Sequence, residues 1–319
     1  MVEQYQNYVN GIWTDATSGA VSTSTNPADL SDVVGEFQAS SSIDAAAAIN
    51  AAHDVKESWR RTSSLARGNY LLNAASYLQA NLEEYAQAVT RESGKAILES
   101  RGEIGRAVAL LQYFGVEGAN PVGSVVPSVN PNILLYTNRM PLGVVSLITP
   151  WNFPFAIPIW KMAPALVYGN TIVLKPASAT PHVGTLIARM WEAVDLPAGV
   201  FNLVTGSGGA IGNELVTNSK VAAISFTGST RIGMNIAAES AKRGKRYQLE
   251  MGGKNPVIVL PDADLEQAAT ITVSGAMKYS GQKCTATSRA IVVGNIMEEF
   301  TNLVVEKTNA LKIGPGSDP

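Results

Sequence analysis

Cysteine is almost absent: the 319 residues contain one, Cys284. No intramolecular disulfide can form, so the single thiol is either inert packing or a reactive group, and it fits a reducing, cytoplasmic setting. Histidine is nearly as scarce, with only His53 and His182. His53 lies in an Ala-rich helical pattern and His182 follows Thr180-Pro181 at a helix start, so both read as structural or surface residues. Charge of one sign is also missing. The 24 Lys and Arg nearly balance the 26 Asp and Glu, and a net charge of −2 provides no footprint for nucleic acid or an anionic membrane. The polar stretch 1–10 does not read as a signal peptide, and no apolar run reaches the length of a bilayer. With 16% charged and 46% hydrophobic residues, the composition is that of a soluble globular chain long enough for two domains or one large one.

What is present is concentrated in a few strings. Cys284 sits in Gly281-Gln282-Lys283-Cys284-Thr285-Ala286-Thr287-Ser288-Arg289, where polar neighbours disfavour an apolar core position. Glu250 precedes it by 34 residues, in Leu249-Glu250-Met251-Gly252-Gly253-Lys254. A thiol enzyme commonly borrows a histidine as base, but neither histidine here is well placed by its context, so Glu250 is the better candidate. The double glycine lets backbone approach closely and leaves the carboxylate at a strand end facing a cleft. Taken alone, that Glu reads more readily as an ordinary strand-end charge.

Periodicity orders the rest. Leu65, Leu72, Ala75, Leu78, Leu82, Tyr85 and Val89 recur at helical steps, and residues 43–118 are expected to be helical. Residues 121–141 turn extended. From Gly143 to Gly253 apolar strands and helices alternate, which argues for parallel βαβ units, and a second alternating stretch starts at Asn255. The strand from Gly143 to Ile148 runs straight into Thr149-Pro150-Trp151-Asn152-Phe153-Pro154. In an open α/β sheet the ligand crevice lies off the carboxyl ends of strands, which makes Asn152 informative, although alone it also reads as a turn residue. Gly206-Ser207-Gly208-Gly209-Ala210-Ile211-Gly212 follows another strand and suggests a nucleotide site, with Gly208 and Gly212 as candidates, but its third glycine falls one place late for the usual dinucleotide fingerprint.

In order and spacing, the strings Tyr8–Trp13, Thr149–Pro154, Lys175-Pro176-Ala177-Ser178, Phe226-Thr227-Gly228-Ser229-Thr230 and the Glu250 and Cys284 motifs resemble the aldehyde dehydrogenase superfamily. The resemblance implies an α/β fold: a Rossmann-like parallel-sheet domain binding NADP or NAD (residues 1–120 and 142–252), a bridging β-hairpin that joins subunits (121–141), and the first part of a second α/β catalytic domain (253–319). It implies oxidation of an aldehyde through a Cys284 thiohemiacetal and thioester, an oxyanion held by the Asn152 amide and the Cys284 backbone N–H, and Glu250 activating the hydrolytic water. It places the cofactor against Ile148, Thr149, Pro150, Trp151, Lys175, Ser178, Phe226, Gly228 and Ser229, with the pyrophosphate at the last three and the adenosine ribose at Lys175 and Ser178. Many NAD-preferring relatives carry Glu where this chain has Ser178, so NADP is expected to be accepted. No metal is expected.

Lys-Pro-Ala-Ser and Thr285–Ser288 look most like members that oxidise semialdehydes with a distal carboxylate, such as those of 2-oxoglutarate or succinate, and a homodimer or homotetramer is expected of the full-length enzyme. Family members continue well past Gly314–Pro319, so the chain is expected to be C-terminally truncated, with Cys284 poorly buried and activity weak or absent. A non-catalytic cofactor-binding or association fragment is one alternative. A CoA-acylating relative is another, against which Glu250 argues.

Overall fold

The computed structural model describes residues 2–120 and 122–318. Five strands open the chain: β1 (Gln4–Tyr5), β2 (Asn7–Val9), β3 (Ile12–Thr14), β4 (Val21–Asn26) and β5 (Asp29–Gln38). They carry little period-2 signal: β1 to β3 are only two or three residues long, and Ser, Thr and Asp interrupt the hairpin β4–β5. Four helices follow as expected: α1 (Ser42–Arg61), α2 (Ser64–Ala80), α3 (Leu82–Ser93) and α4 (Ile97–Glu117). Local signals bound them. The Ser41 N–H donates to Asp44 Oδ2 at 2.7 Å to start α1, and Gly94, at φ 71°, ends α3.

The expected extended stretch begins at Pro121, outside the described residues. Among its described residues only β6 (Val125–Val126) and β7 (Leu135–Tyr136) pair, as an exposed ribbon around the bend and turn at residues 129–132. The alternation then runs β8 (Val144–Ile148), α5 (Ala156–Val167), β9 (Thr171–Lys175), α6 (Pro181–Ala193), β10 (Phe201–Leu203), α7 (Gly208–Thr217), β11 (Val221–Gly228), α8 (Thr230–Ala241) and β12 (Arg246–Met251). A last unit holds β13 (Asn255–Val259), α9 (Leu265–Met277), a short 3-10 turn (Lys278–Gly281), β14 (Thr287–Val292) and α10 (Met297–Asn309), with β13 and β14 paired in parallel.

The main sheet has the order β12-β11-β8-β9-β10-β2-β3; the first five strands are parallel and β2 and β3 extend the sheet antiparallel. Strand pleating sorts side chains to two cores. Val145 and Leu147 of β8 join Ile172 and Leu174 of β9 under α2 to α6, while Val144 and Val173 face α1 and α7. Burial on both faces explains why these strands are mostly apolar, with Ser146 of β8 and Thr171 and Lys175 of β9 as buried polar exceptions. It also leaves function to the loops at the strand ends. No helix among the described residues is long and apolar enough to cross a membrane.

Candidate active site

The carboxyl ends of β8, β9, β11 and β12 bring most of the expected residues into one row. Ile148 pairs with Lys175 on one side and Phe226 on the other, and Thr227 pairs with Glu250. Beyond Ile148 the chain turns through Thr149, Pro150 and exposed Trp151 to Asn152 before α5 begins.

Cys284 lies outside the sheet, in the loop between α9 and β14, and is exposed. Its loop meets Asn152 nonetheless, at Gln282. Asn152 Nδ2 donates to the Gln282 carbonyl at 2.8 Å, and Asn152 Oδ1 accepts from the Phe153 N–H at 3.1 Å. An amide carries two N–H donors, so one remains for another acceptor. The loop has further tethers: Asn255 Nδ2 donates to the Cys284 carbonyl at 2.6 Å, and Lys283 pairs with Glu99 of α4 at 2.6 Å. Glu250 is exposed in β12 and accepts from Gln248 Nε2 at 2.7 Å rather than from the thiol loop.

The nucleotide side can be tested on what this chain buries. Lys175 is 5% exposed, its Nζ donates to the Pro176 carbonyl at 2.8 Å, and no carboxylate pairs with it among the described residues. Burial pulls its ammonium down to about 8, the mark of a cation lacking a counter-charge. The Thr149 hydroxyl is buried without a partner. Ser229 caps α8, whose first-turn N–H groups form a ready anion seat, and a Cβ on Gly228 would strike the Phe226 ring at 2.5 Å. Ser178 Oγ donates to the Gly206 carbonyl at 3.1 Å, which sets the glycine-rich stretch beside Lys175. Gly208 and Gly212 present open space. An uncompensated cation, an orphaned hydroxyl and a free helix N-terminus fit a phosphate-bearing, hydroxyl-rich cofactor.

Sequence reasoning missed Lys161. Its Nζ reaches Ser225 Oγ at 2.9 Å, Gln248 Oε1 at 3.1 Å and the Phe226 carbonyl at 3.3 Å. Burial lowers its ammonium to about 8, with the Glu250 carboxylate opposing the shift. The signal was there: Lys161 is the only charged side chain in α5. Lys95 and Glu103, a buried pair behind the Asn152 turn, left no such trace.

A doubly wound sheet with these features at its carboxyl edge is the architecture of nucleotide-binding α/β proteins. The chain belongs to the aldehyde dehydrogenase family, whose family model matches residues 13–319. It is 48% identical over 310 residues to an alpha-ketoglutaric semialdehyde dehydrogenase of Bacillus subtilis, covering 97% of this chain and 64% of that protein. Among solved structures, an E. coli NADP-dependent enzyme superposes with TM-score 0.96 at 37% identity, covering 99% of this chain and 66% of that one. PnpE in complex with nicotinamide adenine dinucleotide superposes with TM-score 0.94 at 36% identity, covering 99% and 65%. The chain therefore spans a little under two thirds of the length of these relatives.

Proposed function

We propose that this chain carries the nucleophile, oxyanion donor and cofactor bed of an enzyme that oxidises a carboxylate-bearing semialdehyde, of the 2-oxoglutarate or succinate type, with NADP or NAD. The observation that carries the reading is the 2.8 Å bond from Asn152 to Gln282, which joins the turn after β8 to the loop of the only thiol across 130 residues.

In this reading the Cys284 thiolate attacks the aldehyde carbon, forming a C–S bond and sending the carbonyl electron pair onto oxygen. The second Asn152 N–H and the Cys284 backbone N–H stabilise that oxyanion. The nicotinamide cofactor, when bound, supplies the hydride acceptor. As the oxyanion's electron pair re-forms the carbonyl, the C–H bond breaks and the hydrogen leaves as hydride to that acceptor, which leaves a thioester on Cys284. Glu250 then takes a proton from water, the resulting hydroxide attacks the thioester, and the thiolate leaves as the carboxylic acid is released. Lys175 and Ser178 would hold the adenosine ribose, and Gly228, Ser229 and the first turn of α8 the pyrophosphate. Ile148, Thr149, Pro150, Trp151 and Phe226 would border the bound cofactor, with Gly208 and Gly212 at its adenosine end.

The distal carboxylate has a candidate partner in Arg106. Along α4, Glu99 reaches the Cys284 loop, Glu103 the Asn152 turn, and Arg106 stacks over Trp160 with its guanidinium 5.4 Å from the ring centre. Arg106 has no ion pair among the described residues. In the same reading residues 1–120 and 142–252 form the cofactor domain and 253–319 the start of the catalytic one. The exposed ribbon, with Val125, Ile133, Leu134 and Tyr136 facing solvent, would join subunits of a homodimer or homotetramer.

Absorbance at 340 nm with NADP or NAD and a panel of semialdehydes tests the reading. Cys284→Ala abolishes turnover, and Arg106→Ala raises KM for carboxylate-bearing substrates about tenfold while sparing a neutral aldehyde of equal length. Turnover retained in Cys284→Ala refutes the nucleophile; cofactor binding without thiol-dependent turnover returns the chain to a cofactor-binding module.

A further inference from the structure

Two side chains that no chemical step uses stand behind both halves of the site. Lys95 and Glu103 form an ion pair, and both side chains are wholly out of solvent. Desolvating two charges is costly, and replacing such a pair by neutral groups of similar volume is often neutral or stabilising, so stability alone gives no reason for it.

The contacts give one. Lys95 Nζ donates to the Asn152 backbone carbonyl at 2.8 Å. The same ammonium lies 4.1 Å from the centre of the Phe153 ring and 4.5 Å from that of Tyr279. The second oxygen of Glu103 accepts the N–H groups of Phe155 and Ala156, at 2.9 and 3.0 Å, where α5 begins. One buried cation thus touches the turn that carries the amide donor and the loop that carries the thiol. A neutral side chain could meet the carbonyl, but attraction to two ring faces needs a cation.

The loop needs holding. Tyr279 and Ser280 have φ of 52° and 53°, and Gly281 has 71°, three left-handed residues in succession just before Cys284. For the two with side chains this conformation is strained and persists only where the surroundings over-determine it. Tyr279 is pinned by Lys95, by ring contacts with Phe153 at 6.4 Å and Trp151 at 6.5 Å, and by its hydroxyl donating to the Ser93 carbonyl at 3.4 Å. Lys283, on the far side of the turn, is tied to Glu99, one helical turn before Glu103 on α4.

We propose that Lys95, backed by Glu103, is a positioning residue that locks the Asn152 turn and the Cys284 loop to each other, so that oxyanion donor and nucleophile share one register. This rests on the roles of Asn152 and Cys284 proposed above. Nucleophile and donor must be held within fractions of an ångström, and both hang from loops with no shared strand to fix them.

The test is the double variant Lys95→Met/Glu103→Gln. Met keeps the length of the stem, Gln keeps an acceptor for the first turn of α5, and no charge is left unpaired. Amide hydrogen exchange in segments 149–156 and 278–285 should speed up about tenfold while the strands of the main sheet stay protected. Cys284-dependent hydrolysis of 4-nitrophenyl acetate should fall roughly a hundredfold in kcat, with KM and the NADP dissociation constant within about twofold of the parent. Tyr279→Leu, which leaves the ion pair intact, should release 278–285 alone, and this keeps the claim testable if the double variant does not fold. Unchanged exchange in both segments overturns the proposal; so does a uniform rise over the whole sheet, which would make the pair a general stability element. If the parent chain hydrolyses no ester through Cys284, the nucleophile reading falls, and the exchange data still decide whether Lys95 locks the two loops.

Discussion

Ser178→Glu isolates the cofactor claim from the chemistry. Ser178 is exposed, three residues past the buried Lys175, and its hydroxyl is spent on the Gly206 carbonyl at 3.1 Å. A glutamate there cannot donate that bond, but the loss is common to both cofactors and cancels in their ratio. The difference lies in the 2′ group. A carboxylate accepts from a ribose 2′-hydroxyl and repels a 2′-phosphate. At about 5 Å and an effective dielectric constant near 20, two unit charges repel by roughly 3 kcal/mol; full solvent screening reduces this to somewhat under 1 kcal/mol. An exposed position falls between these limits, so the ratio of NADP to NAD affinity should drop about tenfold to a hundredfold. Titration calorimetry at low salt and at 0.5 M salt measures it without needing turnover. The drop should shrink in high salt, because it is a charge effect. An unchanged ratio, or a change indifferent to salt, would remove Ser178 from the ribose pocket.

Two further outcomes concern the scaffold. Burial pushes the Glu92 carboxyl up to about 7, although the His182 and Val183 N–H groups and the Ser24 hydroxyl bond to it, and burial holds the His182 imidazole down near 4. The folded state thus favours protonated Glu92, a contribution present below about 4.5 and lost as pH rises through 7, and neutral His182, a contribution gained as pH rises from 4 to 6.5. Each is worth up to roughly 3 kcal/mol, and in the parent they oppose. Glu92→Gln should leave only the histidine slope, so Tm climbs between pH 4.5 and 6.5 more steeply than in the parent; parallel profiles would refute the assignment. Gly68→Ala places a Cβ 2.3 Å from the Gly115 carbonyl where α2 crosses α4. It should cost about 2 kcal/mol of stability by thermal or urea unfolding without altering cofactor affinity, and a neutral effect would mean the crossing is looser than the contact implies.

The residues that the strand pattern itself singles out, Asn152 and Glu250, share one property: each lies at or just past the end of a strand whose identity is local. Val144–Ile148 and Thr171–Lys175 are mostly apolar runs closed by Pro-containing turns, and in a parallel sheet that pattern points Asn152 to the crevice side, whereas Lys175 and Ser178 were placed there by the family resemblance. Glu250 follows by the same rule, whereas Phe226 came from the resemblance. The β6–β7 segment was read as more extended than it is, because apolar residues with no core beneath them make a ribbon of only two residues per strand.

Lys161 was within reach, as a lone charge in an apolar helix. Lys95 was not, because its partners stand eight residues away in Glu103, 57 in Asn152 and far beyond in Tyr279, and no spacing records such a meeting. By itself, the sequence determined the single thiol through composition, and the alternating α/β order and the strand ends through hydrophobic period and turn chemistry over short stretches. The tertiary structure alone decided that the thiol loop meets the Asn152 turn, that a buried cation stands behind both, and that Lys161 joins Glu250's neighbour Gln248, because those contacts exist only after the chain has closed on itself.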